Sequence, residues 1–251
     1  MKIIEIKNCT KDYATDSISV RALRQIDLEV EQGEFTAIAG PSGSGKTTLL
    51  NIIGGLDRPT AGDVNVSGKY LPSLSARELS DLRLRKIGFV FQAYNLIPVL
   101  SALENVEYVL LLQGTEKEER RERSEKILRE VGLEAEMNRL PKDLSGGQQQ
   151  RVAVARAIVS EPELVLADEP TANLDQKTGA GLLELMHALN EKKKITFIFS
   201  THDPMVMDRS ERLVRLSDGV IVSDEKKSGG FHTGQLKKGP AKAGKGTRYK
   251  K

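Results

Sequence analysis

The feature that most constrains the fold of this chain is the octapeptide Gly40-Pro41-Ser42-Gly43-Ser44-Gly45-Lys46-Thr47. A largely apolar run, 35–39, precedes it, and a stretch suited to a helix, 45–55, follows it through Thr48. Apolar runs of that length are expected of strands buried on both faces. A glycine-rich turn between such a strand and a helix start gathers backbone N–H groups and the positive end of the helix at one point. Strand, glycine turn, Lys and Thr in that order form a phosphate-binding loop. Lys46 is expected to reach the β- and γ-phosphates of a nucleoside triphosphate, and the Thr47 hydroxyl to ligate Mg²⁺.

Composition narrows the surroundings of that loop. With 39% hydrophobic and 29% charged residues over 251 positions, the chain has the make-up of an ordinary globular protein. No run approaches the roughly 18 apolar residues of a membrane span. Residues 1–7 alternate apolar and charged side chains without a signal-peptide core, as expected of a strand in a cytoplasmic protein. Cys9 is the only cysteine, which excludes an internal disulfide framework and any multi-cysteine metal site. The net charge of +3 is an average of two regions. Nine of the 38 basic and two of the 35 acidic residues fall in 224–251, leaving 29 basic against 33 acidic residues in 1–223. A mildly acidic body argues against nucleic acid as a partner. The Lys- and Gly-rich remainder is expected to be a disordered tail, with a possible attraction to an anionic membrane surface.

Expected strands are 2–7, 18–30, 35–39, 64–66, 87–91, 164–168, 195–199, 212–216 and 220–223. Expected helices are 45–55, 75–85, 101–112, 117–131, 146–160, 176–190 and 204–208. Ser75 with Glu78 and Ser101 with Glu104 match the capping box. Strands alternate with helices at both ends of the chain, while 93–160 is almost wholly helical, so an α/β core interrupted by a helical insertion is expected.

Two further motifs carry chemistry. The apolar strand 164–167 ends in Asp168-Glu169. A carboxylate at such a strand end can hold Mg²⁺, usually through water, and the next acid can polarise an attacking water. Leu144-Ser145-Gly146-Gly147-Gln148 opens another helix. Ser145 with Gln148 satisfies the capping box of any helix start, yet a serine and two glycines there also make a second anion-binding nest.

Taken together and in this order, these motifs resemble those of the ATP-binding cassette (ABC) ATPases, a resemblance that covers roughly residues 2–223. It implies a P-loop NTPase α/β core with an antiparallel β subdomain and an α-helical subdomain inserted at about 93–160. Gln92 resembles the glutamine that touches Mg²⁺ and the attacking water, and His202 resembles the switch histidine at the γ-phosphate. Asn173-Leu174-Asp175 resembles the D-loop, with Asn173 where alanine is usual, and Tyr13 resembles the aromatic residue that stacks on adenine. Glu169 is then the candidate general base. The resemblance also implies a head-to-tail homodimer closing over two ATP, with residues 144–148 of one copy facing the phosphate loop of the other.

Gly54-Gly55-Leu56-Asp57-Arg58-Pro59-Thr60, Ile87-Gly88-Phe89-Val90-Phe91-Gln92, Asn95-Leu96-Ile97-Pro98 and Leu103-Glu104-Asn105-Val106 are similar to one subfamily. It includes the lipoprotein-releasing ATPase LolD, the ATPase part of the macrolide exporter MacB and the division protein FtsE. That likeness implies a separate transmembrane permease subunit, reached through residues 94–100, and a peripheral position on the cytoplasmic face of the inner membrane. An FtsE-like role in a membrane division complex is the alternative. A soluble cassette acting on DNA or ribosomes fits less well, since those carry paired cassettes, coiled coils or zinc inserts.

Overall fold

The chain opens with two long antiparallel strands, β1 (Lys2–Thr15) and β2 (Ile18–Glu31), in a computed structural model that describes residues 1–15 and 18–227. β1 continues to Thr15 instead of ending at Lys7. The apolar–polar alternation fails beyond Lys7 because the register with β2 shifts between Ile6 and Cys9, between Cys9 and Lys11, and again before Asp12. Each irregularity inserts a residue and exchanges the faces that follow. Buried β3 (Phe35–Ala39) comes next, then the glycine loop and α1 (Lys46–Ile53). β4 (Ala61–Val66) pairs with β1, and the short β5 (Lys69–Tyr70), which the sequence did not announce, pairs with β4. These strands form an antiparallel sheet in the order β2-β1-β4-β5.

Helix α2 (Ala76–Lys86) and strand β6 (Ile87–Phe91) lead into the helical stretch, α3 (Ala102–Leu112), α4 (Lys117–Glu130) and α5 (Gly146–Ile158). The expected capping boxes close α2 and α3 at Ser75 and Ser101. After it come β7 (Leu164–Asp168), α6 (Gln176–Lys193), β8 (Thr196–Thr201), α7 (Pro204–Arg209), β9 (Arg212–Ser217) and β10 (Val220–Lys226). A second sheet runs β10-β9-β3-β8-β7-β6, parallel except for the β10 edge. Successive side chains of a strand point to opposite faces, and the central strands use both. Phe35, Ala37, Phe197 and Phe199 join a core beneath α3 to α6, whereas Ile38, Ile198 and Leu166 join one shared with α1, α2 and the antiparallel sheet. The fold is therefore of mixed α/β type, with helices and an antiparallel sheet layered on the parallel one.

β10 also exceeds expectation, running to Lys226 where the basic tail was placed from 224. Its hold is the buried Arg212. The guanidinium donates to both Asp224 oxygens at 2.8 and 2.6 Å, to Glu34 Oε2 at 2.8 Å and to the Glu29 carbonyl at 2.7 Å. The remainder of the expected tail, 228–251, lies outside the described residues. Burial opposes charge on Glu34, but Arg212 and Lys226 outweigh it and hold the carboxyl below its usual range. A carboxyl whose pKa is lower folded than unfolded stabilises the fold above its unfolded pKa, and the contribution disappears as pH falls through the folded one. Denaturant titrations of the wild type from pH 6 to pH 3 should thus show a steeper loss of stability than those of Glu34→Gln. Arg212→Ala leaves Glu34 to Lys226 alone and Asp224, over a third exposed, to water, and should cost about 1–3 kcal/mol at pH 7.

Candidate active site

Parallel strands deliver their C-terminal ends to one edge of a sheet, and ligands of open α/β sheets bind beyond that edge. β8 lies between β3 and β7, so the glycine loop after β3, Asp168-Glu169 at the end of β7 and His202 after β8 are brought side by side. They line a cleft of about 620 Å³ together with Pro41, Ser42, Gly43, Gly45, Lys46, Thr47, Thr48 and Gln92. Gly45 enters α1 at φ 102°, and no side chain caps the helix. Its first N–H groups are left for an anion, as a phosphate site requires. Gly40 is dictated by packing, since a Cβ there would lie 2.1 Å from the Leu216 carbonyl oxygen. The Lys46 ammonium donates to the Gly40 and Pro41 carbonyls at 2.8 and 2.9 Å, which keeps it poised over the mouth of the loop.

Thr47 Oγ1 lies 3.3 and 3.2 Å from the two Asp168 oxygens. Such a set of hard oxygen donors suits Mg²⁺, which prefers one or two protein oxygens and completes its shell with water and phosphate. Glu169 is held differently. Its backbone sits in the left-handed region at φ 47°, an unusual conformation for a side chain with a Cβ and one that concentrates at functional sites. Oε1 is 2.6 Å from His202 Nδ1, and Oε2 accepts from Thr201 Oγ1 at 3.2 Å. The carboxylate is largely shielded while the imidazole is open to solvent, at 15% and 69% exposure.

The other candidates divide. Gln92 is in the cleft, and its carbonyl accepts from Asn173 Nδ2 at 2.9 Å, so the unusual D-loop residue has a defined partner. Tyr13 is not among the residues lining the cleft, although its cross-strand partner Val20 is. Leu144, Ser145, Gly146, Gly147 and Gln148 lie outside the cleft altogether. There Ser145 caps α5 through the Gln148 N–H, and Gln148 Oε1 accepts from the Ser145 N–H. Asp175 caps α6, accepting from the N–H groups of Lys177 and Thr178. The Thr178 bonds hold its carboxyl below the usual range.

Sequence reasoning missed Val20, Arg21, Ala22, Arg24, Asp218 and Gly219, which form the far wall. Asp218-Gly219 between two expected strands does signal a tight hairpin, but nothing local says where it docks. Gly219 N donates to Ser44 O at 3.0 Å, and Gly219 O accepts from Arg24 N at 2.8 Å. The C-terminal hairpin therefore backs the glycine loop. Gly219, at φ +77°, would place a Cβ 2.6 Å from the Ala22 oxygen, whereas Gly33, at φ +85°, has open space around it. Gly33→Ala should cost about 1 kcal/mol of backbone strain. Gly219→Ala should cost more and also weaken nucleotide binding, which thermal melts with and without ATP will separate.

Comparisons with known proteins point to one family. The family described as ABC transporter matches residues 23–172. The lipoprotein-releasing system ATP-binding protein LolD of Anaeromyxobacter dehalogenans is 47% identical over 222 residues, covering 88% of this chain and 93% of LolD. The macrolide export ATP-binding/permease protein MacB of Rhodopseudomonas palustris is 46% identical over 221 residues, 88% of this chain but 34% of MacB. The solved dimer of the ATP-binding cassette MJ0796, in a post-hydrolysis state bound to ADP and Pi, superposes with a TM-score of 0.83 at 46% identity, covering 90% of this chain and 99% of that one.

Proposed function

The chain belongs to the ABC transporter family and is an ATP-binding ATPase of that family; from this premise we propose that two copies close head to tail over two ATP and drive a separate membrane permease. The observation that carries the dimer is the separation of the two nests. The uncapped start of α1 opens into the cleft of its own chain, while Ser145 and the glycines at the start of α5 lie outside it. A twofold pairing lets the α5 nest of each copy meet the cleft of the other, giving two equivalent sites with one interface.

In this reading the α1 N–H groups and Lys46 grip the phosphates, and Tyr13 stacks on the base. Thr47 and Asp168, with Gln92, would hold Mg²⁺, which neutralises charge on the transferring phosphate. Glu169, shielded and aligned by His202 and Thr201, accepts the proton of the attacking water. Asp175 and residues 144–148 act on the partner's nucleotide.

The permease reading rests on the likeness to LolD and MacB, whose names join ATP binding to lipoprotein release and macrolide export. No helix among the described residues is long and apolar enough to cross a membrane. Behind Gln92 a groove of about 430 Å³ is bordered by Phe89, Phe91, Asn95, Val109 and Arg156. Four residues after Asn95 along the chain, Val99 stands 78% exposed. A permease loop seated there would reach Gln92 through the backbone of β6 and hold the ATPase peripherally at the cytoplasmic face. Affinity purification of the tagged chain from its native membrane should recover an integral membrane protein that raises its ATPase rate, and Val99→Asp should release it. Recovery of ribosomes or DNA instead would refute the permease reading.

A further inference from the structure

We propose that Lys11 and Asp57 are positioning residues that fix Tyr13 as a platform for the base of ATP. This rests on Tyr13 being the residue that stacks on the base. The turn 54–60, prominent in the sequence, has no part in the phosphate chemistry, yet its side chains converge on Tyr13. Asp57 Oδ2 accepts from Tyr13 Oη at 2.7 Å. Asp57 Oδ1 accepts from Lys11 Nζ at 2.6 Å and from the Arg58 N–H at 2.7 Å. The Lys11 ammonium stands 4.7 Å from the centre of the Tyr13 ring, and it also donates to the Arg58 carbonyl. One end of the phenol is thereby pinned, and one ring face is covered by a cation. Partial burial opposes charge on Asp57, but the bonds from Lys11, Tyr13 and Arg58 hold its carboxyl below the usual range, so the anchor stays ionised at neutral pH.

The turn is fastened at both ends. The N–H groups of Leu56 and Asp57 donate to the Asn51 carbonyl in the last turns of α1. Thr60 N donates to Thr10 O, and Thr60 Oγ1 accepts from Asp12 N. Helix α1 begins at the glycine loop, so the phosphate grip and the tyrosine platform hang from the two ends of one helix. Tyr13 also stands at the edge of the cleft. Val20, opposite it on β2, lines the cleft. A side chain pinned before the ligand arrives loses less rotamer freedom on stacking, and that saving appears as affinity.

Calorimetric titration of the full chain with ATP and with inorganic tripolyphosphate, both with Mg²⁺, tests this. The readout is the ratio of the two affinities, because tripolyphosphate has no base. Tyr13→Ala should lower the ratio about tenfold, the scale of one stacked base. Asp57→Asn and Tyr13→Phe should each lower it about threefold to tenfold, and the double variant by less than the product, since both weaken the same carboxylate–phenol contact. Lys11→Met should lower it about twofold to fivefold. An unchanged ratio in Asp57→Asn and Lys11→Met, with Tyr13→Ala impaired, would overturn the positioning role and leave the stacking assignment standing. An unchanged ratio in Tyr13→Ala would overturn both. Equal losses for ATP and tripolyphosphate in Asp57→Asn would reduce the turn to a purely structural one and overturn the proposal as well.

Discussion

Replacing Glu169 by glutamine is expected to cut ATP turnover about 10²- to 10⁴-fold, the usual effect of removing a general base, while ATP still binds. Glutamine preserves the length of the side chain and one oxygen, so the contact with Thr201 Oγ1 at 3.2 Å can persist. What disappears is the negative charge 2.6 Å from His202 Nδ1, and with it the capacity to take a proton from water. Lys46, Thr47 and Asp168 are untouched. A site that fills and does not empty accumulates in its closed state, and the lost carboxylate no longer repels the γ-phosphate. ATP should therefore convert the variant into a lasting dimer on size-exclusion chromatography, with phosphate release run in parallel. Asp168→Asn should instead weaken the Mg²⁺ dependence and the dimer together. Turnover at the wild-type rate, or a monomer with ATP bound, would remove Glu169 from the mechanism.

Lys46→Ala should abolish ATP binding or weaken it by about 100-fold, the scale expected when a charge-assisted contact to phosphate is lost. The ammonium does two jobs in the structure. It supplies the cation at the loop, and it satisfies the Gly40 and Pro41 carbonyls at 2.8 and 2.9 Å. Alanine leaves both oxygens turned toward an anionic ligand with nothing between them. Ser145→Arg makes the complementary case. Ser145 is exposed and outside the cleft of its own chain, so the monomer should bind ATP normally, whereas a bulky cation on the capping position should block closure onto a partner. Equilibrium binding of a fluorescent ATP analogue must separate the two variants. Loss of monomer binding in Ser145→Arg would refute the assignment of residues 144–148 to the partner's site.

Local chemistry was legible in the sequence wherever its elements are contiguous. The strand, glycine turn and helix of the phosphate loop span consecutive residues, and Asp168-Glu169 announce themselves as acids at the end of an apolar strand. What stayed hidden depends on partners far along the chain. β1 beyond Lys7 is disguised by bulges, because a shifted register moves each apolar side chain off the expected face. The charges Asp224, Glu225 and Lys226 read as the onset of a tail, yet Asp224 meets the buried Arg212 across β9. The wall formed by 20–24 and 218–219 carries no motif, since a cleft wall needs shape and backbone polarity, which many sequences can supply. Residues 144–148 are the reverse case: their pattern is distinctive, but they lie outside the cleft of their own chain, and a helix start alone does not say what it meets.

The bond from Gly219 N to Ser44 O sets an order of events in the cell. Ribosomes deliver the chain from its N-terminus at about 5–20 residues per second, so the brace for the glycine loop is synthesised roughly 9 to 35 s after the loop itself. β8 and β9, the two neighbours of β3, are likewise made only in the last part of that interval. A chain that stops short of residue 219 therefore presents the nucleotide motif without its backing and is expected to hold ATP weakly. The glycine loop is thus finished by a segment about 175 residues downstream, and its order of assembly is set by that distance.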